Sequence, residues 1–192
     1  VGEAYLHTGE FGKARNAFRR VDGDVNYFAE VMQKFDESYQ PDLALEFAQV
    51  ALGCAGESSE MRAVLWSNVF KHACALHDYD SAYLAIASNP DPERRQDCLR
   101  RFVVVLCELG EGVRLCEYPF VGLCEEVEAT LLRKGRSGHA NYYEVLYAWH
   151  CFRSNFRAAA GAMYERGCMA ATADDALRGY LAAATALNLV GA

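Results

Sequence analysis

"NYYEVLYAWHCFRSNFRAAAGAMYERG", residues 141–167, gathers Tyr142, Tyr143, Tyr147, Trp149, Phe152, Phe156 and Tyr164 into one span. Such density is either a wall for a ligand or cofactor or the seam between stacked helices, and the choice decides the fold. On a helix over 140–153, Tyr143, Leu146, Tyr147, His150 and Cys151 share one face, while Tyr142, Val145 and Trp149 share the adjacent one. Two apolar faces mean packing on both sides, which an interior helix of a stack requires and a ligand wall does not. The span reads as a seam.

Helical periodicity extends outward from it. In "QDCLRRFVVVLCELG", residues 96–110, Leu99, Phe102, Val103, Leu106 and Cys107 recur at i, i+3, i+4, i+7 and i+8. Asp91 followed by Pro92 supplies a helix start, and Gly110 with Gly112 a stop. The same reading predicts helices over 10–20, 24–38, 42–54, 58–77, 79–88, 93–109, 121–134, 140–153, 155–167 and 174–190. Their connectors are short: "VDGD", "QPD", "GESS", "NPD", "GEG" and "GRSGH". Short links make successive helices antiparallel neighbours, and nothing between them reads as a domain linker.

A signature repeats within this pattern. Phe11, Ala14, Ala17 and Phe18 match Tyr79, Ala82, Ala85 and Ile86, and again Phe156, Ala159, Ala162 and Met163. Each set is an aromatic, two alanines at the third and sixth following positions, and a large apolar residue at the seventh. The aromatic wedges into the bend of a helical hairpin, and the alanines let the second helix approach the first. Tetratricopeptide-like repeats use this device with a period of about 34 residues. The copies begin at 11, 79 and 156, so the first interval is two periods and the second is longer. The expected fold is all-α: an irregular α-solenoid of antiparallel hairpins, with residues 1–192 a single stretch.

Composition narrows the function. The formal net charge of -7 disfavours a general nucleic-acid binder and docking on anionic lipid by charge. No apolar run is long enough to span a membrane; the nearest, "GYLAAATALNLVGA" at 179–192, is short and broken by Thr185 and Asn188. No signal peptide is apparent, and the chain, opening on Val1 and stopping inside an apolar pattern, reads as a piece of a longer one. The eight cysteines are widely spaced on apolar faces, which suits free thiols in a cytosolic or nuclear setting.

Chemical constellations are thin. His150 with Cys151 and His72 with Cys74 point to different sides of a helix and lack zinc-ligand spacing. Asp91 with Asp97 and Asp174 with Asp175 sit at helix starts, where carboxylates favour the dipole; Glu125 with Glu126 reads as a solvated face. "LGEG" and "GRSG" lack a P-loop lysine. In "RRQDCLRR", residues 94–101, Asp97 is at pairing distance from Arg94 and Arg101. No catalytic, cofactor-binding or metal-ligating residue is assigned, no cofactor is expected, and interaction residues are left unassigned.

The blocks "FKHACALHDYDSAYLAIASNPDPERRQDCLR", "RRQDCLRRFVVVLCELG", "YPFVGLCEEVEATLLRKGR" and "NYYEVLYAWHCFRSNFRAAAGAMYERG" occur in an order that resembles the helical region of the 160-kilodalton nucleoporin family. The resemblance runs from Met61 to Gly167, continues more loosely through 1–60 and fades after 170. It implies a non-enzymatic scaffold, with an amino-terminal β-propeller and an α-helical solenoid, in the Y-shaped complex of the nuclear pore. It implies other Y-complex nucleoporins as partners in a large hetero-oligomer, no direct nucleic acid, no membrane span and a place at the nuclear envelope, where the pore carries protein import and mRNA export. A tetratricopeptide-like peptide adaptor is the alternative, and a helical enzyme the third reading.

Overall fold

The computed structural model describes residues 1–56 and 60–190. The expected "GESS" connector at 56–59 and the first residues of the helix predicted from 58 fall largely outside the described residues.

Every regular element among the described residues is helical. Eleven α-helices are described: α1 (Gly2–His7), α2 (Phe11–Arg19), α3 (Val25–Glu37), α4 (Pro41–Cys54), α5 (Glu60–Ala75), α6 (Tyr79–Ser88), α7 (Pro92–Glu108), α8 (Cys124–Arg136), α9 (Ala140–Phe152), α10 (Phe156–Met169) and α11 (Ala173–Asn188). A 3-10 helix covers Gly112–Glu117. Periodicity predicted neither α1, whose six residues bury nothing, nor the 3-10 turn. The helix expected from 121 starts at Cys124, because Phe120 (φ 44°) and Gly122 (φ 71°) hold a left-handed turn ahead of it.

One turn geometry recurs along the chain. Gly9, Tyr39, His77, Gly110 and Ser154 all have positive φ, and each lies two residues before the next helical element. The N–H that follows each of them reaches back five residues: Glu10 to Tyr5, Gln40 to Phe35, Asp78 to Ala73, Glu111 to Leu106 and Asn155 to His150, at 2.7 to 3.0 Å. This is the Schellman closure, in which a left-handed residue satisfies the last free carbonyls of a helix. The residue donating that bond is also the N-cap of the next element, so the chain reverses within three residues.

These turns explain the repeat. Phe11, Tyr79 and Phe156 are the first residues of α2, α6 and α10, and Ala14, Ala82 and Ala159 are fully buried. The turns at Tyr39 and Gly110 are the intermediate copies. After Tyr39, Pro41 replaces the aromatic while Ala44 keeps the buried alanine. The last interval is long because the 3-10 helix and the segment leading to Cys124 precede the α8–α9 pair between the turns at Gly110 and Ser154.

The chain condenses into two units, Val1–Cys98 and Leu99–Ala192. In the first, Phe47 of α4 is the hub. It stacks on Phe35 (5.3 Å between centroids) and Phe28 (6.3 Å) of α3 and meets Phe18 of α2 edge-on at 6.4 Å. Asn89, 2% exposed, fastens the segment before α7 to α5 through Ala63 O (3.2 Å) and Ser67 Oγ (3.3 Å). Asp91 then accepts from the N–H groups of Glu93 and Arg94, the helix start expected from Asp91–Pro92.

In the second unit the hub is Trp149, fully buried on α9. Phe120 packs against it at 5.7 Å and leads on to Phe102 and Tyr118. The left-handed Phe120 is thus held by packing: its ring fills the space between α7 and α9.

Candidate functional site

The aromatic span falls on α9 and α10. Tyr142, Tyr143, Leu146, Trp149 and His150 are buried, and α9 packs against α8 on one side and α10 on the other. Val145 presses on the 3-10 helix: a Cβ on Gly112 would lie 2.5 Å from its Cγ2. Tyr147 and Cys151 pack against the cluster of Ala159, Ala160, Met163, Ala183 and Ala186 from α10 and α11. The two faces read from the sequence therefore meet different neighbours. Phe152 (69% exposed) and Tyr164 (60%) stand outside the seam; Phe152 is the last residue of α9, and Tyr164 lies against Tyr180 of α11 instead.

Several polar groups around the seam pair with one another, while Thr130 Oγ1, His150 Nδ1 and Arg153 Nη1 are buried without a hydrogen-bond partner among the described residues. The indole N–H of Trp149 donates to Glu128 Oε1 at 3.0 Å, and the Arg153 guanidinium lies 3.3 Å from the Trp149 ring centroid while donating to Tyr118 O. This is a cation over an aromatic face in a half-buried setting. The Tyr143 hydroxyl donates to Glu165 Oε1 at 3.0 Å, and Arg136 holds the same carboxylate through Nε and Nη2. The Arg136 bond keeps Glu165 below the usual carboxylate range. Burial, then the Glu165 contact, pushes the Tyr143 hydroxyl up to about 12. A groove of about 300 Å³ opens beside Tyr143, bordered by Gly135, Gly138, Arg166 and Met169, but Arg166 pairs with Glu144 at 3.0 Å. Tyr143 and Arg166 are thus engaged in joining α9 to α10, and the remaining polar side chain on its border, Asp175, in capping α11.

The sequence-level candidates disperse into structural roles. His72 on α5 is buried with Nδ1 3.8 Å from Asp36, and His150 is buried with Nδ1 3.9 Å from Glu128. Burial depresses both imidazoles, against the opposing pull of those carboxylates. Cys107 is buried and its thiol pushed up to about 12, so it is not a nucleophile. Asp175 and Thr172 cap α11 reciprocally. Glu126 departs from the solvated face expected of it: it accepts from Arg100 of α7 at 2.7 Å, an inter-helix tie invisible to a reading of α8 alone. Among the described residues no cluster of three or more His, Cys, Asp or Glu could hold a metal, and no helix is long and apolar enough to cross a membrane. Exposed apolar residues collect instead on α11, where Leu177, Tyr180, Leu181 and Leu187 face outward.

Comparison with known proteins agrees with this arrangement. A family described as NUP160/120 middle TPR matches residues 20–189, past the point near 170 where the resemblance was expected to fade. Nuclear pore complex protein Nup160 of Mus musculus and that of Homo sapiens are each 34% identical over 99% of this chain. Nuclear pore complex protein NUP160 of Arabidopsis thaliana is 34% identical over 86% of it. The chain spans only 16% of the length of the two mammalian relatives and 13% of the plant one. With hairpins in tetratricopeptide-like turns and a match over most of its length, the chain belongs to the NUP160/120 middle TPR family.

Proposed function

We propose that this chain is a section of the structural scaffold of the nuclear pore complex, within the Y-shaped outer-ring coat, and that it works by rigidity and contact. The observation that carries the reading is the family match over residues 20–189, to proteins named as nuclear pore components. The internal architecture supports it: the side chains best suited to chemistry are engaged in capping, inter-helix pairing or packing. On this reading the chain has no catalytic activity, and residues 1–192 form one stretch of solenoid within a longer protein. Its partners are other Y-complex nucleoporins, it sits at the nuclear envelope, and it supports protein import and mRNA export.

The test is to tag the full protein carrying this segment in its own cells. A punctate nuclear rim, with co-purification of other outer-ring subunits, is the expected result. A diffuse cytosolic signal without such subunits would contradict it.

A further inference from the structure

We propose that the channel between α3 and α5 is a docking groove for a short amphipathic helix with a Lys- or Arg-bearing edge, supplied by another protein. The inference goes beyond the scaffold reading, and its failure would leave that reading intact.

Helix α4 packs against both α3 and α5, and the two flanking helices leave an open groove of about 510 Å³ between them. Met32 and Leu65 are buried at its floor, with Met61 and Val64 half-buried beside them. Methionine side chains adapt to an incoming apolar surface at little cost. Along the α3 wall, Asn26, Glu30 and Gln33 follow one another at helical spacing. The wall from Asn26 to Asp36 is about 15 Å long at 1.5 Å per residue, close to three turns of a docked helix.

Charge selects the occupant. Two carboxylates line the groove, Glu30 and Asp36, and no lining residue is cationic. Asp36 is met by Lys71 at 2.6 Å. Lys34, one turn along from Glu30, is paired with Glu3. Glu30 is exposed and makes no hydrogen bond or ion pair among the described residues. The uncompensated charge of the groove is therefore negative, and it lies beside an apolar floor.

Backbone chemistry selects a helix over an extended peptide. An extended segment needs outside partners for its N–H and C=O groups. The groove offers three amides, of which Gln33 is bonded to Glu37 at 3.0 Å and Asn68 to Val64 O at 3.2 Å. A helix closes its own backbone bonds and needs only apolar anchors at i, i+3 or i+4, and i+7, flanked by cations.

Display selection of helical peptides about 15 residues long against the 192-residue chain tests the proposal. The expected winners share that apolar spacing, carry Lys or Arg on its flank, and weaken at least tenfold against Glu30→Lys and against Val64→Asp. Exchanging the peptide lysines for glutamates should restore binding to Glu30→Lys, a charge swap that stands even where Val64→Asp fails to fold. A thermal melt of Glu30→Lys matching the parent shows that the fold is kept. No enrichment, winners with acidic flanks, or binding indifferent to Glu30→Lys would overturn the proposal.

Discussion

Gly179 of α11 sits directly on Gly167 of α10: a Cβ added to Gly179 would lie 2.9 Å from the Gly167 Cα and amide nitrogen and from Met163 O. The obstacle is backbone, which cannot swing aside. Gly179→Ala should therefore destabilise the chain by about 1–3 kcal/mol, the usual cost of overpacking. Gly161, mid-helix on α10, has no atom within 4 Å of its virtual Cβ, and Gly161→Ala should stabilise by about 0.5–1 kcal/mol. Urea midpoints of the two variants should move in opposite directions.

The Schellman turns give a second test. Tyr39 holds φ 56° with its side chain 90% exposed, so the left-handed strain there is not offset by burial. Tyr39→Gly should raise stability by up to about 1 kcal/mol, since the left-handed region costs an L-residue roughly 1–2 kcal/mol and glycine's extra unfolded freedom returns part of it. Gly110→Ala, at φ 78°, should lower stability. Thermal melts of both separate backbone strain from packing.

Removing a hub should be far more damaging. Phe47→Ala empties the centre of the Phe18–Phe28–Phe35 cluster and should cost about 3–5 kcal/mol. Phe152→Ala, at a ring 69% exposed, should change denaturation by less than about 0.5 kcal/mol.

Acid should weaken the fold before the carboxylates titrate. His72 and His150 are held below the ordinary histidine value of about 6.5. Between their folded values and that figure the unfolded chain binds protons that the folded chain refuses. Stability is thus full above pH of about 6.5 and falls as pH drops through it. Urea midpoints at about pH 7.5 and 5.5, either side of that value, should differ in the parent, and the difference should shrink in the His72→Gln, His150→Gln double variant.

Much of this was legible in the sequence because helical period and burial are local. The span around Trp149 announced its two faces, and Ala14, Ala82 and Ala159 marked the hairpin contacts. The intermediate turn at Tyr39 was hidden because the left-handed position accepts a tyrosine as well as glycine, so composition does not flag it; that at Gly110 showed only as a helix stop. The repeat vanished where Pro41 replaced the aromatic. Glu126–Arg100, Arg136–Glu165 and the groove between α3 and α5 are long-range juxtapositions, and no spacing along one helix encodes them.

Cross-linking mass spectrometry on intact nuclear envelopes tests the scaffold reading most directly. Links from the lysines of this segment, Lys71 and Lys134 among them, to other outer-ring nucleoporins are predicted. A reproducible set of links confined to soluble cytosolic proteins, with none to pore components, would contradict it.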